Sequence, residues 1–306
     1  MRPTLPVRCL LPLSLLLLAA CKPNAPAPPA PAAAPADAPA AAKPATTPAD
    51  DNLNAVLWMQ RSEEYRATTE TIYRAAADKL DALLKDKRVD ALVPEERGPG
   101  KALASLKPAV ILDVDETVLD NSPYQARLIR DNREYSDPTW DLWVAEKKAK
   151  AVPGVVDFAK AASAKGITLL YLSNRAVHLK DATIANLKAV GLPVASDAVF
   201  LGLGTVVKDC EQNGTEKNCR RRLAGQDYRV LMQFGDQLGD FVQVLANTPD
   251  ARGKLLADYH DWFGERWWML PNPTYGGWEP AQFNNAWDQP RDARRAAKRE
   301  ALDLAN

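Results

Sequence analysis

Two kinds of hydrophobic spacing divide the chain. From Leu53 to Leu84 the apolar positions, among them Val56, Met59, Ile72, Tyr73, Ala76 and Leu80, broadly keep a helical period. Asp50 and Asp51 stand where an acceptor side chain can cap a first turn, so one long helix is predicted from near Leu53. No residue in it suggests chemistry, and packing is its default role. Pro94 and Gly98-Pro99-Gly100 then break the chain. After Pro108 the spacing changes. Short continuous apolar runs at 109–112, 167–172, 198–201 and 229–234 read as strands, and stretches of helical pattern at 155–164 and 179–190 fall between them.

Strands without polar alternation are covered on both faces. Their alternation with helices predicts an α/β fold with a parallel sheet. Such sheets gather ligands at the carboxyl ends of their strands. Three strand ends carry suitable residues. The first is followed by Asp113-Val114-Asp115-Glu116-Thr117, the second by Ser173-Asn174-Arg175, and the last by Gly235-Asp236-Gln237-Leu238-Gly239-Asp240. Singly these are weak signals. Acidic pairs occur on solvated loops, a Ser-Asn pair suits a turn, and helix starts favour acids.

In this order, each after a buried strand, the three segments resemble the haloacid dehalogenase superfamily of phosphohydrolases. The run from Ile111 to Tyr124, with the later run from Gly235 to Phe241, further resembles the bipartite signature of the class C bacterial acid phosphatases, outer-membrane lipoproteins with nucleotidase activity. Residues 53–58, 151–154 and 270–279 fit the same family. The resemblance implies a Rossmann-like core at 51–306, with a small, mostly helical cap inserted at about 120–151.

It also implies roles. Asp113 would attack phosphorus to form an aspartyl-phosphate, and Asp115 would protonate the leaving alcohol and then activate water. Dehalogenating relatives lack this second acid, because halide leaves without a proton. Ser173 and Asn174 would bind phosphoryl oxygens. Magnesium, which takes oxygen ligands, would be held by Asp113, Asp236 and the backbone carbonyl of Asp115. Asp240 would orient these groups, with direct or water-mediated ligation as the alternative. The expected phosphate-neutralising lysine is Lys217, paired with Arg220 in a K-x-x-R spacing, or else Lys208. Two aromatics sandwich the base of a nucleotide in this family, and Tyr135 and Tyr275 match those positions. The implied activity is that of an acid phosphatase or 5′-nucleotidase acting on nucleoside monophosphates and aryl phosphates. Relatives are often dimeric, so a homodimer is compatible with the resemblance.

The N-terminus changes the picture of where the chain works. Arg2 and Arg8 precede an apolar run at 10–18 that is too short to span a bilayer, as in a secretory signal. Leu18-Ala19-Ala20-Cys21 looks like a bacterial lipobox. Residues 1–20 are thus expected to be removed and Cys21 lipidated, and Lys22 favours the outer membrane by resemblance to known lipoproteins. Residues 21–50 are largely Ala and Pro and predict an extended tether. Cys210 and Cys219 remain. In an oxidising compartment they suit a disulfide, with a two-cysteine metal site as the rival. Over 306 residues the formal net charge is zero, which leaves no basic footprint for nucleic acid. A phosphotransferase would use the same residues. A tethered protein that only binds a ligand would not need Asp115.

Overall fold

The computed structural model describes residues 51–97 and 100–305. The signal segment, Cys21 and the tether lie outside the described residues. In chain order the helices and strands begin with α1 (Leu53–Arg61), α2 (Glu63–Lys85), α3 (Pro94–Arg97), β1 (Lys107–Leu112) and β2 (Leu119–Asp120). There follow α4 (Ser122–Asp131), α5 (Asp137–Glu146), β3 (Lys150–Ala151), α6 (Val155–Ala164), β4 (Thr168–Ala176), α7 (Lys180–Ala189) and β5 (Phe200–Leu203). The last are α8 (Asn218–Asp227), β6 (Tyr228–Gly235), α9 (Pro249–Asp258), β7 (Trp267–Met269) and α10 (Arg291–Glu300).

Five of these strands form one parallel sheet in the order β5-β4-β1-β6-β7. β1 is central, with residues 109–112 at most 2% exposed. The register sets Leu112 beside Tyr171 on one side and Phe234 on the other. The ends of β1, β4 and β6 are therefore neighbours in space. β2 and β3 pair antiparallel and bracket α4 and α5.

The expected single N-terminal helix is two helices. Ser62 ends α1 in extended backbone, and its hydroxyl accepts the Tyr65 N–H at 3.0 Å to start α2. A serine followed by Glu63 and Glu64 is a helix start, and this local signal overrides the continuous apolar period. The cap expected from the aspartates is not formed by Asp51, because Asn52 holds that position and its side chain does not cap the helix, while Asp50 lies outside the described residues. α2 packs against α6. From it Tyr73 reaches the core, lying 5.3 Å from Phe234 ring to ring, while its hydroxyl donates to Thr117 O at 2.7 Å. A helix read as packing alone thus also fixes the loop after β1.

β4 continues past its expected end. Ser173, Asn174 and Arg175 are its last residues but one, and the pairing with β5 shifts between Leu172 and Ala176. β7 is not legible as a strand in the sequence. Its Trp267 is 1% exposed and packs among Phe241, Tyr259, Trp262 and Phe263, so this aromatic cluster is core.

Candidate active site

Asp113 follows β1 and extends its ladder, its N–H donating to Phe234 O at 2.9 Å. The chain then turns tightly. Leu119 N–H returns to Val114 O at 2.8 Å, and Glu116 sits at φ 56°, the left-handed region. At the end of β6 the Gln237 N–H donates to Asp240 Oδ2 at 2.8 Å, which closes a short 3₁₀ turn at Leu238–Asp240. Gly235 makes that turn fit, since a Cβ there would overlap the Cβ and carboxylate of Asp240.

These two strand ends bring one carboxylate oxygen each from Asp113, Asp236 and Asp240 within 4.8 Å of one another. All three residues are at least nine-tenths buried. Lys217, 3% exposed, bonds Asp113 Oδ1 and, at 2.7 Å, Asp240 Oδ1. Lys208 is exposed and does not line this cavity. Asp236 Oδ2 is held from the other side by Asn272 Nδ2 and Gln237 Nε2, each at 2.7 Å.

Charge in this space is unbalanced. Burial pushes the Asp113 carboxyl up to about 7, against the pull of Lys217 and with Asp240 and Asp115 adding repulsion. Asp236 is raised well above the carboxylate range by burial, then by Asp240 and Asp113. One ammonium does not neutralise this group. The donors are all oxygen, as hard divalent cations require, and among the described residues no histidine or cysteine joins them. The residues fit a divalent metal.

Asp115 is oriented with care. Its Oδ1 accepts from Asn121 Nδ2 at 2.8 Å and Arg175 Nε at 2.9 Å, while Oδ2 receives only the Ser173 hydroxyl at 3.4 Å. Trp143 Nε1 and Arg175 Nη2 in turn donate to Asn121 Oδ1 at 2.8 and 3.2 Å. Oδ2 is thus the less occupied oxygen. The Ser173 hydroxyl also accepts the Arg175 N–H at 3.0 Å, and the residue is fully buried and does not line the cavity. Asn174 does line it. Arg220 Nη2 donates to Asn174 Oδ1 at 2.7 Å, which leaves the amide N–H groups to face an anion. Arg220 also holds Ser173 O at 2.5 Å and Glu216 O at 3.1 Å, tying β4 to the segment that carries Lys217. Cys210 and Cys219 form a disulfide around that segment, so they are not metal ligands.

The carboxylates open into a cavity of about 890 Å³. Tyr135, Trp140, Tyr275 and Trp278 are in its walls. Tyr135 is 56% exposed, and its hydroxyl donates to Asp137 Oδ1 at 3.0 Å. Tyr275 is anchored by its hydroxyl to Glu116, whose carboxyl is raised well above its usual range, by burial first and then by Asp115. Arg175, Asn121, Glu116, Gln237 and Asn272 were not singled out as site residues from the sequence. Arg175 and Asn121 stand inside the recognised runs, and their types alone carried no signal for a role.

The chain matches the family model described as HAD superfamily, subfamily IIIB (Acid phosphatase), over residues 30–278. Among solved structures it is similar to the class C acid phosphatase from Bacillus anthracis with tungstate bound. The identity is 33% and the TM-score 0.70, over 82% of this chain and 96% of that one. Curated relatives include a stem 31 kDa glycoprotein of Glycine max, 27% identical over 54% of this chain and 58% of that protein. Acid phosphatase 1 of Solanum lycopersicum is 24% identical over 54% of this chain and 57% of its own. The chain thus spans a little over half the length of these curated relatives.

Proposed function

The chain belongs to the HAD superfamily, subfamily IIIB acid phosphatases, whose chemistry is phosphomonoester hydrolysis, and on that premise we propose how its own residues carry the reaction. Asp113 is the nucleophile. Lys217 occupies its Oδ1, so Oδ2 forms the new bond to phosphorus as the bond from phosphorus to the leaving oxygen breaks. Asp115 gives that oxygen a proton from Oδ2, then takes one from the water that attacks the aspartyl-phosphate and releases inorganic phosphate. Asn121 and Arg175 keep Asp115 in the orientation that both transfers need. Asn174 and Lys217 bind phosphoryl oxygens, and Ser173 acts from beneath on Asp115 and the Arg175 backbone. A magnesium ion held by Asp113, Asp236 and the Asp115 carbonyl would neutralise phosphate charge. Asp240, whose two oxygens are occupied by Lys217 and the Gln237 N–H, fits an orienting role.

The observation that carries this reading is the convergence of Asp113, Asp236 and Lys217 in one buried cluster, with Asp115 lining the same cavity. Nucleoside monophosphates are the proposed substrates. Tyr135 and Tyr275 line that cavity, and stacking on a base is worth about 1–3 kcal/mol whatever the base. The lipobox at Cys21 supports an outer-membrane anchor, and the disulfide supports an oxidising compartment.

Phosphate release from a nucleoside monophosphate and an aryl phosphate, with magnesium and with EDTA, tests the proposal beside Asp113→Asn. Turnover that needs magnesium and disappears in the variant is expected. A folded, metal-loaded wild type that releases no phosphate from either substrate would refute it.

A further inference from the structure

The family match ends at residue 278, but the cavity does not. Phe283, Trp287 and four cations of α10, namely Arg291, Arg294, Arg295 and Lys298, line the same space as Asp113. Three of those cations are matched at the mouth. Arg294 binds Glu134 at 2.8 Å, Arg295 binds Asp51 at 2.5 Å, and Lys298 binds Glu279 at 2.9 Å. These pairs clamp α10 to the body.

Among the described residues, two guanidiniums at the mouth form no salt bridge. Among the described residues Arg291 donates only to the neutral Asn132 Oδ1, at 2.9 Å. Arg133, the next residue after Asn132, makes no salt bridge or side-chain hydrogen bond among the described residues, and the nearby Asp131 is already held by Arg130. Both arginines are exposed and line the cavity. Because Arg291 touches the residue beside Arg133, they stand at one edge of the mouth. The reacting phosphate has Lys217 and Asn174 at the floor and does not need them. Paired guanidiniums suit a phosphate better than a lone carboxylate, since each offers a fork of N–H donors.

We propose that Arg133 and Arg291 form a subsite for a second phosphate group, so that the enzyme prefers phosphomonoesters carrying a distal phosphate, with nucleoside bisphosphates as the class. This rests on the phosphatase reading above. Tyr135 and Trp287 lie in the same cavity, where a base can pack while its ribose spans the two anion sites.

The test compares kcat/KM for a nucleoside 3′,5′-bisphosphate and the corresponding 5′-monophosphate, with chromatography identifying which phosphate leaves. The wild type is expected to favour the bisphosphate by about tenfold, releasing the 5′-phosphate, and to lose that preference as salt rises. In the double variant Arg133→Gln/Arg291→Gln the ratio should fall to near one. Both positions are exposed, so folding is not at stake. A wild-type ratio near one, or a ratio that survives the double substitution, overturns the subsite while leaving the phosphatase reading intact. No turnover of either substrate overturns both. If the variant keeps its ratio but loses retention on anionic lipid vesicles, this edge is a membrane contact and the proposal fails.

Discussion

Arg221 has a fully buried guanidinium that donates to both oxygens of Glu96, at 2.6 and 2.7 Å, and to Gly239 O at 2.7 Å. It thereby joins α3 to the turn that carries Asp240. Replacing it with Leu removes three bonds and strands the Glu96 carboxylate, which at 6% exposure has little access to water. Leaving such a charge unpaired costs about 3–5 kcal/mol, a large part of a typical domain stability of about 5–15 kcal/mol. For a body of this size the melting temperature should fall by roughly 6–20 °C. The assay is urea unfolding of the wild type, Arg221→Leu, Glu96→Leu and the double variant. A buried pair replaced on both sides leaves no stranded charge, so the double variant should be more stable than either single one. A single variant that costs under about 1 kcal/mol, or a double variant whose cost equals the sum of the singles, would refute the reasoning.

Further outcomes follow from the same geometry. At a hundredfold excess over its Kd, a divalent cation should stabilise the body by about 2.7 kcal/mol, or roughly 5–10 °C in melting temperature, and Asp236→Asn should abolish the shift in a thermal scan. Gly235→Ala forces a Cβ onto Asp240, so it should cost about 1–3 kcal/mol in urea unfolding and weaken cation binding in a titration; wild-type values for both would contradict the close approach. Arg295 holds the Asp51 carboxyl below its usual range, so that pair stabilises above the unfolded value of about 3.9 and is lost as pH falls through the depressed folded value. Hydrogen exchange should then show α10 losing protection on acidification below about pH 4, and unchanged protection would argue against the clamp.

The parallel core was legible because continuous apolar runs at 109–112 and 229–234 permit little besides buried strands. The acids were legible because they directly follow those strands. The choice between Lys217 and Lys208 was not, since both precede the same strand and only the disulfide-closed loop decides which one turns inward. Asn121 and Arg175 escaped for a related reason. Their roles depend on bonds to Asp115 and to each other, and a hydrogen-bond network has no periodicity in the sequence. α10 escaped because its apolar residues are only Ala293, Ala296 and Ala297, and ion pairs with Asp51, Glu134 and Glu279 hold it where a larger apolar stripe is usual.

The pairing of β1 with β6 has a consequence for how the chain matures. Asp113 and Asp236 lie far apart in sequence, and the bond from Asp113 N–H to Phe234 O brings their segments together. Half a cluster has no use for a cation, so metal affinity arises only once the centre of the sheet is assembled. Long-range pairing of this kind is the slow part of folding. Uptake of the cation should therefore mark the end of folding, and a chain stalled with β6 undocked would be inert however much metal surrounds it.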